Sequence, residues 1–143
     1  MATAKIERTA SGVWRGDLRG GSGEMSSGSG TLDQAPFTFA TRFENAKGTN
    51  PEELIAAAQA GCYSMALANY LAQQGLQPQE IVTRAIVTME NLAITRMHLE
   101  TRGRVPGLDD ATFKRLAAEA ERKCPVANLL RSGLTLTLDA ALA

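Results

Sequence analysis

Four side chains in this sequence could do chemistry together: Arg42, Glu52, Cys62 and Cys124. A thiolate, not a thiol, is the nucleophile, so a reactive cysteine in an apolar helix needs a cation nearby to stay charged. Arg42 can be that cation, and its planar fork can hold a carboxylate at the same time. Glu52 would then orient the guanidinium. A peroxide meeting such a thiolate loses its distal oxygen, which leaves a sulfenic acid on Cys62 and releases an alcohol. A second thiol, Cys124, can condense with that acid to a disulfide and protect it from over-oxidation. An external dithiol must then restore both cysteines by exchange.

The element that must carry Cys62 is the stretch GTNPEELIAAAQAGCYSMALANYLAQQG, residues 48–75. Asn50 is a good N-cap residue, and Pro51 follows at the first helical position, where a missing N–H costs nothing. Glu53, three residues after the cap, suits a capping box, and Glu52 adds a second anion at the positive end of the dipole. A capping box would use Glu53 and leave Glu52 for the site; Glu53 is the alternative carboxylate. Strong helix formers fill the interior, and Gly75 is a natural stop. The reading is one helix over about 51–74, roughly 24 residues and ~36 Å long. It is apolar nearly all round from Leu54 to Leu71, which predicts burial on all sides in the core. By itself a buried cysteine in such a helix is a small hydrophobe; the company of Arg42, Glu52 and Cys124 changes that.

Ala56, Ala57, Ala58, Ala60 and Gly61 form a run without bulk. Small residues at helical spacing let another backbone come close, either as a plain tight packing face or as a contact with a copy of the same helix about a two-fold axis. Glu52 and Cys62 are ten residues apart, so on one straight helix they lie ~15 Å apart along the axis and cannot touch. Two antiparallel copies crossing near Ala57 would bring Glu52 of one chain level with Cys62 of the other.

Composition narrows the class. The chain has 143 residues, 44% of them apolar, with 15 basic and 15 acidic side chains. That suits one globular domain over residues 1–143 and argues against nucleic acid as a partner. Met1 to Ala10 lacks an apolar signal core, and no run of about 18 apolar residues is present, so neither export nor a membrane span is expected. The expected compartment is the cytoplasm, where two cysteines are redox-active or free rather than a static disulfide. One histidine, His98, makes a metal site an unattractive reading.

The remaining elements follow in order. Residues 4–9 and 12–19 read as strands, and the glycine- and serine-rich stretch 20–30 as a hairpin with a weak strand near Glu24–Ser27. In FTFATRF, residues 37–43, Phe37, Phe39, Thr41 and Phe43 alternate with Thr38, Ala40 and Arg42, a strand pattern. Two further strands, 81–89 and 92–105, are close enough to pair as a hairpin, with His98 on the solvated face. Asp109 or Asp110 caps a helix to about Lys123, with Phe113, Leu116, Ala117 and Ala120 on its inner face. Pro125 opens a short helix at 125–131, and Cys124 at its start sits where the dipole favours thiolate. Leu134, Leu136 and Leu138 alternate in a last strand. The class is α+β, antiparallel sheet around a long buried helix.

The block FATRFENAKGTNPEELIAAAQAGCYSMAL, with a later CPV opening a short helix, resembles the osmotically inducible protein C and organic hydroperoxide resistance family (OsmC/Ohr) over essentially the whole chain. The TRFE segment looks more like the osmotically inducible branch. The resemblance implies an intertwined homodimer with two active sites at the interface and no metal or bound cofactor. It implies thiol-dependent reduction of organic hydroperoxides, more weakly of hydrogen peroxide, with lipoylated proteins as reductant. By resemblance Cys62 is the peroxidatic cysteine, Cys124 the resolving one, and Arg42 and Glu52 hold the thiolate. The two branches place the arginine at different points, so Arg15 and Arg19 stay open. Phe37, Phe39, Phe43 and Met65 are candidates for the apolar surround that selects alkyl hydroperoxides. A different class of function fits the same cysteines: a non-catalytic dimer that senses oxidants through a disulfide, or binds a small apolar ligand. It would react once and stop where a peroxidase turns over.

Overall fold

The structure, a computed structural model, describes residues 5–143. The chain divides into two compact units, one ending at Pro51 and one spanning Glu52–Ala143.

The first unit is a three-stranded antiparallel meander, β1 (Ala10–Arg15), β2 (Ser22–Ser27) and β3 (Ala35–Phe37), followed by a one-turn helix, α1 (Phe39–Phe43). Gly23 pairs with Trp14 on one side and Phe37 on the other. A Cβ at Gly23 would lie 2.7 Å from the Trp14 ring and 2.8 Å from the Phe37 ring. Glycine therefore lets the two rings meet over the strand, with centroids 5.3 Å apart.

Three expectations for this unit need correction. Lys5–Thr9 is not a strand (residue 4 lies outside the described residues). Pairing ends where Gly28 N–H bonds to Thr9 O and the partner strand turns away; an extended segment without a partner has no ladder. The 12–19 strand stops at Arg15. There the Asp17 carboxylate accepts Gly20 N–H at 2.6 Å, its carbonyl accepts Gly21 N–H, and the chain is bent into a turn. The alternating 37–43 segment is a strand only to Phe37 and a helix after it. Thr38 and Thr41 form a reciprocal capping box, each hydroxyl accepting the other's backbone N–H. Those two local bonds outweigh a weak period-two pattern in so short a segment.

The second unit is built on α2 (Pro51–Gln73), the sheet β4 (Glu80–Glu90), β5 (Ala93–Arg104) and β6 (Thr135–Leu142), and two helices, α3 (Asp110–Glu121) and α4 (Pro125–Leu130). α2 ends in a Schellman turn: Leu76 N–H bonds to Leu71 O and Gly75 N–H to Ala72 O, with Gly75 at φ 80°. Burial of α2 is confined to one stripe, Gln59, Tyr63, Leu67 and Leu71, rather than all sides. Ala57, Ala58, Gly61 and Met65 are exposed, Met65 at 75%.

β4 and β5 form the expected hairpin, turning at Asn91 and Leu92, both at positive φ. β6 pairs with β5 in parallel, so the sheet is mixed rather than antiparallel. The crossover through α3 and α4 brings the chain back to the starting end of β5, and the next strand must run the same way. Met97, Leu99 and Thr101 alternate inward and meet Phe113, Leu116, Ala117 and Ala120 of α3 in one core with the buried stripe of α2. Each large apolar side chain buried there contributes about 1.5–3 kcal/mol. The Tyr63 hydroxyl donates to Ala117 O at 2.8 Å and Ser64 donates to Thr83 at 2.8 Å, so α2 is bonded both to α3 and to the sheet.

Candidate active site

Cys62 lies in the fourth turn of α2, half-buried, and Cys124 is the N-cap residue of α4, with no exposed surface. The α3–α4 corner folds Cys124 back onto α2. Its thiol points at the Cys62 sulfur, with Sγ to Sγ 3.0 Å. Two cysteines 62 residues apart in sequence thus lie within about 1 Å of bonding distance.

The electrostatics of Cys124 reverse the sequence expectation. Burial, and then the contact with Cys62, push its thiol up to about 11, although Ala127 and Val126 N–H groups at the helix start pull the other way. A six-residue helix offers a weaker stabilisation than the loss of water removes. Cys124 is therefore a proton-holding thiol at neutral pH. Because the folded state holds this proton more tightly than the unfolded chain, its contribution to stability is complete below the ordinary thiol range and lost as pH rises towards about 11. In the reduced protein, ultraviolet thiolate absorbance should show a late step near pH 11. Cys124→Ser should remove that step, and an equally late step in the variant would assign it elsewhere.

Tyr63 sits beside this pair. Its hydroxyl is pushed above the usual tyrosine range by burial, and further by the charges of Glu121 and Cys124. It stays neutral and bonded to Ala117 O. Gln59, one turn before Cys62, is fully buried, and among the described residues neither of its amide atoms has a hydrogen-bond partner. It leaves an uncommitted donor and acceptor one turn from the half-buried thiol. Neither residue was singled out from sequence. The spacing of Gln59, Tyr63, Leu67 and Leu71 was the available signal, hidden in a segment apolar on every side.

Glu52 stands in the first turn of α2, ~15 Å along the axis from Cys62 on the same helix. Arg42 belongs to the first unit, in the last turn of α1, with its guanidinium 5.1 Å from the Phe43 ring centre. It lines a cavity of about 260 Å³ together with Trp14, Leu18, Phe37, Phe39 and Phe43. The three expected phenylalanines thus share one cavity, joined by Trp14 and Leu18, whereas Met65 stands on the exposed face of α2. Of the alternative arginines, Arg19 lies over the Phe39 ring at 4.5 Å, and Arg15 pairs with Glu24 across β1 and β2 at 3.5 Å. His98 shares the outward face of β5, half-buried and hydrogen-bonded to Thr137. Among the described residues no three His, Cys, Asp or Glu side chains gather as a metal site requires, and no helix is long and apolar enough to cross a membrane.

Residues 44–139 match the family model for OsmC-like protein. The chain is similar to Peroxiredoxin OsmC of Escherichia coli (strain K12), 43% identical over 135 residues, 92% of this chain and 94% of that protein. It is also similar to an organic hydroperoxide resistance protein of Xanthomonas axonopodis pv. citri (strain 306), 34% identical over 96 residues, 66% of this chain and 68% of that protein. Among solved structures, an OsmC-like protein from Mycoplasma pneumoniae superposes with a TM-score of 0.75 at 15% identity, covering 98% of this chain and 99% of that one, a likeness of fold. The organic hydroperoxide resistance protein OhrB of Bacillus subtilis gives 0.68 at 25% identity, covering 92% and 97%.

Proposed function

This chain belongs to the OsmC-like protein family, and on that premise we propose that it is a cysteine-based peroxidase that reduces organic hydroperoxides, and hydrogen peroxide more weakly. The observation that carries the reading is the pair of sulfurs 3.0 Å apart, one half-buried and one fully buried. The half-buried sulfur can be reached by a substrate; the buried one waits behind it.

The reaction proceeds in three balanced steps. The Cys62 thiolate attacks the distal oxygen of ROOH, the O–O bond breaks, and the alkoxide leaves as ROH after taking a proton. The Cys124 sulfur then attacks the Cys62 sulfenic acid, and water departs with the Cys124 proton as the Cys62–Cys124 disulfide forms. An external dithiol finally gives up two electrons and two protons by exchange, returning both thiols and becoming a disulfide itself. A lipoylated protein fits that last role, and no bound cofactor or metal is required.

Arg42 is the proposed cation for the Cys62 thiolate and Glu52 its orienting carboxylate. The working unit is an intertwined homodimer in the cytoplasm, each chain acting as one OsmC-like domain. In it Glu52 of one chain would stand level with Cys62 of the other. The small, exposed residues Ala57, Ala58 and Gly61 support such a pairing.

The deciding experiment is peroxide consumption by the purified protein, comparing cumene hydroperoxide with hydrogen peroxide and using dihydrolipoamide as reductant. Many turnovers, faster with the organic peroxide, are expected. One stoichiometric oxidation that ends in a stalled disulfide would instead make the protein a sensor. Arg42→Ala should slow the first oxidation about tenfold or more, the scale of losing one charge at a reacting centre. Equal rates for mutant and parent would transfer the role to Arg15 or Arg19.

A further inference from the structure

Cys124 does not hold its position alone. It stands where α3 gives way to α4, at a Cys-Pro corner where the Cys124 N–H bonds to Glu121 O at 3.3 Å. Three side chains close that corner. Arg131, at the end of α4, brings Nη1 to 2.6 Å from Glu121 Oε1 at the end of α3. The approach is too oblique for a hydrogen bond, so the attraction is between charges. Arg131 Nη2 donates to Asn128 Oδ1 at 3.2 Å, and Asn128 Nδ2 donates to Arg122 O at 2.9 Å. The Asn128 backbone N–H bonds in turn to Cys124 O at 3.0 Å. The result is a closed loop of contacts, Glu121 to Arg131 to Asn128 to Arg122, that spans the stretch of chain holding Cys124. The Glu121 side chain is only 12% exposed, so this pair is better shielded from salt than an ordinary surface bridge.

We propose that Glu121, Asn128 and Arg131 are positioning residues for the Cys124 thiol, and that this clamp sets how often oxidised Cys62 is captured as a disulfide instead of over-oxidised. The inference rests on the peroxidase reading. At the branch point the Cys62 sulfenic acid has two fates. Attack by Cys124 forms the S–S bond and releases water. Attack on a second ROOH adds another oxygen, gives a sulfinic acid and releases a second ROH. The first fate is intramolecular and depends on a thiol held close to the sulfur; the second depends on peroxide concentration alone. A misplacement of about 1 Å can cost about 100-fold in an intramolecular step. Loosening the corner should therefore slow capture and leave the initial oxidation untouched, because none of the three residues shares the Cys62 helix.

The test compares the reduced parent with Asn128→Ala, Arg131→Met and Arg131→Lys, each treated with cumene hydroperoxide. Asn128 is exposed, so its alanine variant should fold even if Arg131→Met does not. Trapping with dimedone reports the first oxidation, and intact mass separates disulfide from a gain of two oxygens. Asn128→Ala and Arg131→Met should oxidise at the parental rate yet give about tenfold more sulfinic acid at matched peroxide, by the same positional argument. Arg131→Lys, which keeps the charge opposite Glu121, should fall between them and the parent. Unchanged partition in folded variants of a parent that does form the disulfide would overturn the clamp. So would an equal slowing of the first oxidation. A parent that forms neither sulfenic acid nor disulfide would overturn the peroxidase reading itself, and the clamp's role with it.

Discussion

Cys62→Ser should abolish hydroperoxide turnover, with a loss of about a thousandfold or more, as when other enzymes lose their nucleophile. A serine hydroxyl stays protonated near neutral pH and is a poor acceptor of peroxide oxygen, whereas a thiolate is both charged and polarisable. Cys62 is half-buried on a helix already bonded to its surroundings through Tyr63 and Ser64. Exchanging sulfur for oxygen there should leave the fold intact. The measurement is peroxide consumption with dihydrolipoamide beside a thermal melt. An unchanged melt with lost turnover locates the chemistry at the sulfur. Retained turnover would mean that another group accepts the oxygen, and the assignment would be wrong.

Cys124→Ser should behave differently. The first oxidation should proceed at close to the parental rate, because Cys62 keeps its thiol and its exposure. The sulfenic acid would then have no thiol 3.0 Å away to capture it. Excess peroxide should drive it to sulfinic acid, seen as a mass gain of two oxygens on the peptide holding Cys62, with activity falling in step. Cys124 is fully buried, so the serine also places a hydroxyl in an apolar setting, at a stability cost of about 1–3 kcal/mol. Single-turnover measurements well below the melting temperature separate that cost from the chemistry. A variant that cycles as well as the parent, with no added oxygen, would show that an external thiol resolves the sulfenic acid directly.

The two cysteine predictions depend on different levels of information. The candidate nucleophile was legible because its helix is specified locally. Pro51 at the start, Gly75 at the end and strong formers between them decide α2 through contacts a few residues apart. The same holds for the β4–β5 hairpin and for Pro125 at the start of α4. Local pattern misled where two local signals competed. Residues 37–43 alternate like a strand, but the Thr38–Thr41 capping box turns Phe39–Phe43 into helix. The early strand failed for the opposite reason, since among the described residues Lys5–Thr9 forms no ladder with another strand.

By itself, then, the sequence determined which helix holds Cys62, which corner holds Cys124, and the chemistry that two thiols, an arginine and a carboxylate can perform. Only the tertiary structure decided that the two sulfurs meet, that β6 runs parallel to β5, and that Arg131 closes on Glu121 across the corner. It also decided that Cys124 holds its proton up to about 11 rather than losing it at a helix start. The division has one physical cause. Caps, turns and helical periodicity act over a few residues and leave their mark in composition. The approach of side chains 62 positions apart, and the loss of water around them, follow from how the whole core closes.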